Sequence, residues 1–159
     1  MRNPSFIAKH RGGLLSDVDH CLLMKWALAM TEHLQPYLSV PVEPILIEAL
    51  EVGRQWSEGK AGTGEAMKAS RAVHKHAQRI ADPAYKLFCR SVGHAVATAH
   101  MADHSLGPVY YGTKLVNLLG FNDKQELAWQ LAKLQELCPS LVPIVEQALE
   151  QKLRLQLQR

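Results

Sequence analysis

Cysteine is scarce and scattered: Cys21, Cys89 and Cys138 are odd in number and form no CxxC pair. That excludes a disulfide framework or a zinc ribbon and predicts free thiols in a reducing cytoplasm. No window approaches 18 uncharged apolar residues, so nothing is expected to span a membrane. Met1 to Leu15 carries basic residues but no apolar run before Gly12-Gly13, unlike a signal peptide. Charge of one sign is also in short supply. The formal net charge is +3, spread evenly, and no run of Lys and Arg exceeds two. Aromatics make up 6% of the chain and do not interleave with basic stretches, so neither a phosphate-tracking surface nor a base-stacking groove is expected.

Catalytic signatures are missing in the same way. There is no GxSxG elbow, no HExxH and no ExxH. Gly62-Thr63-Gly64 is too short to cradle a phosphate and follows no strand. Cys89 has only Arg90 nearby to lower its pKa, a weak case for a nucleophile. Alternating strand runs, internal repeats and low-complexity segments are absent too.

What is present is helical periodicity. The 159 residues fit one domain, an all-α bundle of about seven helices behind an irregular arm over 1–13. Ser16 or Asp17 caps a first helix running to about Leu38, with Leu15, Leu22, Leu23, Trp26, Ala27, Met30 and Leu34 on its inner stripe. Pro36 kinks or closes it. Pro44 opens a second helix that Gly59 stops. Thr63 caps a third, through Val73 and Ala77, and Asp82-Pro83 starts a fourth that runs to Gly107-Pro108. Val109 to Leu119 form a fifth, and Asn122 or Asp123 caps a sixth with Leu127, Leu131, Leu134 and Cys138 in a seam. Ser140 begins the last, and the alternating Leu153-to-Gln158 tail continues it.

Three of the eight histidines fall within Gly93 to His104. On a continuous helix His100 and His104 lie about 40° apart, on one face with Gly93 and Ala97. Asp19 and His74 also fall on the inward stripes of their helices. The expectation is a polar seam of Asp19, His74, His100 and His104 packed across small residues and hydrogen-bonded internally. The same four are the candidate metal ligands, since histidines at i and i+4 make a common half-site. No bound cofactor is expected, however, because the glutamate that usually accompanies such pairs is missing. His94 lies on a different face, and His76 is expected to face water. Trp26 and Trp56 belong to core stripes and need partners for their indole N–H groups. Trp129 and at least one of Tyr110 and Tyr111 are expected to face outward.

Gly93-His94-Ala95-Val96-Ala97-Thr98-Ala99-His100, followed by His104, Tyr111 and Lys114, resembles the immunity-5-like family of putative immunity proteins. Arg54-Gln55-Trp56-Ser57-Glu58-Gly59 is similar to that family's Arg-x-Trp-x-x-Gly, and Ala72-Val73-His74 to its Ala-x-His. The likeness covers about Val18 to Val116. It departs where the family carries a basic Arg-Pro-Arg-like step, which here reads Val42-Glu43-Pro44. The resemblance implies a bacterial protein that binds and neutralises a cognate toxin without catalysis. The small positive charge disfavours a nuclease as that toxin, since inhibitors of cationic nucleases are usually acidic. Two other classes stay open: a small metal-dependent helical enzyme using the inward His and Asp residues, and a homo-oligomeric module joined through the leucine seam of the sixth helix.

Overall fold

The computed structural model describes residues 2–158. It is 77% helical, with seven α-helices and no strand among the described residues. They are α1 (Asp17–His33), α2 (Pro44–Ser57), α3 (Thr63–Ala77), α4 (Pro83–Ala97), α5 (Gly107–Leu118), α6 (Asp123–Leu137) and α7 (Val142–Leu157).

Local chemistry sets most of the boundaries. Ser16 accepts a hydrogen bond from the Asp19 amide at 3.1 Å, Asp82 one from the Tyr85 amide at 2.8 Å, and Asn122 one from Lys124 at 2.9 Å. Each relieves an orphan donor of the first turn. Pro44 and Pro83 stand where a missing N–H costs nothing. At the start of α3 the cap is Gly62 rather than Thr63, and Thr63 Oγ1 is occupied by the Trp56 indole at 3.1 Å. Gly59 and Gly120, at φ 74° and 85°, turn the chain after α2 and α5 through the left-handed region.

Several expected boundaries move, among them the start of α5, which falls at Gly107 rather than Val109. The first helix ends at His33, and Gln35–Tyr37 form a 3-10 turn containing Pro36. The last helix begins at Val142 after a 3-10 turn at Pro139–Leu141, and its tail stays helical to Leu157. Most consequential, α4 stops at Ala97 instead of running to Gly107. Met101 is extended at φ −136° and ψ 114°, and Ala102–Leu106 form a separate 3-10 turn. Just past this end, His20 Nε2 of α1 donates to the Thr98 carbonyl at 2.6 Å, a tertiary contact at the break.

α4 is the central element, packed against α1, α2, α3 and α5. Buried side chains from Phe6 and Leu15 through Trp26, Phe88, Val92 and Leu115 to Leu134 and Val145 form one cluster. The arm joins it: Phe6 and Ala8 are buried, and Ala8 pairs with Leu15 in an isolated bridge. Trp26 donates to the Gln130 carbonyl at 2.8 Å, tying α1 to α6. The sixth-helix seam divides, with Leu134 and Cys138 in the core and Leu127 and Leu131 half-buried beside α5 and α7.

Candidate functional site

The break after Ala97 rearranges the histidines. His100 and His104 no longer share a helix face, because His104 sits on the 3-10 turn. His94, set aside on sequence grounds, becomes the centre of the group. Its Nδ1 lies 3.2 Å from Nδ1 of His104, so one ring donates and the other accepts. The His74 ring meets His94 edge-on at 4.9 Å, and Tyr111 stacks on His94 at 5.3 Å. His74, His94 and His104 thus join α3, α4 and the turn before α5.

Asp19 and His100 are placed elsewhere. Asp19 accepts a weak bond from the Cys138 thiol at 3.7 Å, on the α6 side of α1. His100 lines a separate pocket with His20, Trp56 and Arg11. The four-residue seam expected from periodicity is therefore not assembled; its premise, one continuous helix through His104, fails at Thr98. Among the described residues no three His, Cys, Asp or Glu side chains are grouped so as to hold a metal ion.

Two glycines make room for the imidazoles. A Cβ on Gly93 would lie 2.5 Å from Cε1 and 2.6 Å from Nε2 of His74. One on Gly107 would lie 2.5 Å from the His94 Cβ. Both distances are far inside van der Waals contact, so the Gly-His pairing of the motif is a packing requirement. Ser70 completes the close approach of α3 to α4 by donating to the Gly93 carbonyl at 2.8 Å.

The cluster is neutral at pH 7. Burial pushes His94 down to about 4, with the neighbouring His74 and His104 adding to the effect. Burial likewise lowers His74 to about 4, helped by the Arg90 guanidinium. Arg90 Nη1 donates to His74 Nδ1 at 3.0 Å and to the His74 carbonyl at 3.2 Å, which leaves the ring proton on Nε2. His104 is also lowered by burial, partly offset by Asp103. At neutral pH these rings are weak bases that exchange hydrogen bonds with one another and with Arg90.

His94 also reaches the floor of an open groove of about 820 Å³ between α5, α6 and α7. Tyr110, Tyr111, Leu127, Leu131, Leu149 and Leu153 provide its apolar walls, with Glu146, Glu150 and Lys152 along α7. Neither glutamate makes an ion pair among the described residues. Tyr110 is 48% exposed, whereas Trp129 is half-buried and stacked on His33 at 3.5 Å. Cys89 is fully buried and its thiol is raised to about 11 by burial, which disarms it as a nucleophile.

Several motif residues turn out to hold helices together. Arg54 bridges Glu32 of α1 and Glu51 of α2. At the departure, Glu43 accepts from His76 Nε2 at 3.0 Å while its amide donates to Tyr85 Oη at 3.0 Å. His76 is therefore not simply water-facing, and Glu43 ties the start of α2 to α3 and α4. Sequence reasoning missed His20, 9% exposed, which bonds the Thr98 carbonyl just past the end of α4. Only its place one residue after Asp19, on the edge of the apolar stripe, hinted at it.

Residues 13–137 match the model of a family described as Imm-5 like putative immunity protein. No curated protein and no solved structure matches the chain.

Proposed function

We propose, from a chain that belongs to the Imm-5 like putative immunity protein family, that it protects the bacterium producing it by binding and neutralising a toxin in the cytoplasm, without catalysis. The family match over residues 13–137 carries this reading. Physically, such a protein needs a rigid frame and a complementary surface.

The groove between α5, α6 and α7 is the surface proposed for the contact. Its leucine and tyrosine walls suit an apolar segment of the toxin, and Glu146 and Glu150, one turn apart and without an ion pair among the described residues, suit basic residues flanking it. The shared histidine cluster then acts as a scaffold, fixing α4 against α5 so that the groove keeps its shape. One wall, α7, lies beyond the family match, so partner choice is assigned to it.

Co-expression with toxins encoded beside the gene tests the reading, scored by survival and by co-purification. Rescue with complex formation is expected. Failure to rescue from every neighbouring toxin overturns it. With a rescuing toxin in hand, Leu131→Glu and Glu146→Lys place the contact. Unchanged affinity in both removes the groove while leaving neutralisation intact.

A further inference from the structure

On the other side of α4, two guanidinium groups converge on a partner that cannot balance them. Arg2 Nη1 lies 3.1 Å from Met101 Sδ, and Arg11 Nη1 lies 3.9 Å from the same sulfur. A thioether is a weak neutral acceptor, and neither arginine makes an ion pair among the described residues. Both guanidinium groups are exposed and keep N–H donors free for an anion placed beside them.

Such a place exists. Arg11 and Met101 line a pocket of about 180 Å³ whose walls include His10, His20, His100 and Trp56. One carboxylate, Asp17, also lines it. His20 itself is committed, with Nε2 on the Thr98 carbonyl and its ring edge-on to Trp56 at 4.9 Å. The donors left for a guest are the Arg11 guanidinium and the His10 and His100 rings, with the Arg2 guanidinium beside Met101. Trp56 and Phe6 supply the apolar surface.

We propose that this pocket binds a small oxyanion, a phosphate or carboxylate head with a compact planar or apolar body. The head lies between Arg11 and His100, with Arg2 beside Met101 at the rim, and the body rests on Trp56. Guanidinium groups recognise both kinds of oxyanion through paired N–H donors. The volume limits the guest to a few heavy atoms beyond its head. The break in α4 creates the site, because the turn after Ala97 swings His100 and Met101 out to meet the arm. The inference does not depend on the toxin-binding reading, since the pocket lies away from the groove.

Titrations of the full chain with inorganic phosphate, phenyl phosphate and benzoate in low-chloride buffer test it, read by tryptophan fluorescence and calorimetry. Saturable binding is expected, with phenyl phosphate tighter than inorganic phosphate because its ring meets Trp56. Comparison with benzoate separates a phosphate from a carboxylate preference. Arg11→Ala and Arg2→Ala, both outside the core, should each weaken binding by about tenfold or more while leaving the far-ultraviolet spectrum unchanged. Lys68→Ala, an exposed lysine of α3, should change nothing. No saturable binding of any of the three probes overturns the proposal. Equal weakening by Lys68→Ala also overturns it, because that is diffuse charge screening.

Discussion

Replacing Gly93 by alanine sets two physical effects against each other. Glycine inside a helix is normally a weak point, and alanine there stabilises by roughly 0.5–1 kcal/mol. At Gly93 the new methyl would arrive 2.5 Å from the His74 ring, whereas carbon atoms rest about 3.5–4.0 Å apart. The ring must retreat by about 1 Å, and Arg90 holds it from the other side at 3.0 Å. Overpacking of this kind costs about 1–3 kcal/mol, and disturbing the Arg90 contact adds roughly 1 kcal/mol. After the helical gain, a net loss of about 1–3 kcal/mol is expected. Urea denaturation followed by circular dichroism measures it, as a lower midpoint at unchanged slope. Gly64→Ala is the control: nothing lies within 4 Å of a Cβ there, so that variant should be neutral or gain up to about 1 kcal/mol. In the pair Gly93→Ala with His74→Ala the second change removes the obstruction, so the two costs should be less than additive. A Gly93→Ala protein as stable as the parent, or losses that simply add, refutes the packing argument.

The histidine cluster makes stability fall with acid. His74 and His94 titrate at about 4 when folded and near 6.5 when unfolded, so the unfolded chain takes up protons first. Their contribution is complete above pH 6.5 and is lost as pH falls toward 4. Screening of the half-buried rings reduces it to roughly 1–2 kcal/mol each. Denaturation midpoints between pH 7 and 5 should drop, and His94→Gln should flatten the slope; a flat parent profile contradicts the neutral cluster. Asp82→Ala removes the α4 cap and should cost about 1 kcal/mol in the same assay, with Asp82→Asn nearly harmless. Among the thiols, Cys21 is half-buried while Cys89 and Cys138 are buried, so an aromatic disulfide reagent should titrate one group quickly and two only on unfolding. Three fast groups would place α4 and α6 wrongly.

Helix identity was legible where local chemistry decides it. Asp82-Pro83, Asn122 and Ser16 announce helix starts within a few residues, and Gly59 and Gly120 announce stops. The inner stripe of α1 was equally readable, since Trp26, Met30 and Leu34 are fully buried. The site was less legible because one long-range bond overrides a local pattern. Val96 to His104 reads as unbroken helix, with no glycine or proline to interrupt it. The break instead coincides with a tertiary contact from His20, 78 positions before Thr98. With that end moved, the register argument placing His100 beside His104 loses its footing, and His94 takes the position assigned to others. The pocket around Arg11 was out of reach for a related reason. Its walls come from the arm, α1, α2 and the turn after α4, and no periodicity links them.

The hydrogen bond from His20 to Thr98 spans 78 positions, so folding closes it only across a long stretch of chain. Before that contact the stretch from Pro83 to Leu106 is free to extend as one longer helix, in which His94 and His104 point apart. An excised peptide spanning Asp82 to Leu118 should therefore show a helical chemical shift at Met101, which is extended in the intact chain. That comparison reports whether the geometry of the histidines depends on the first helix closing over the Thr98 carbonyl.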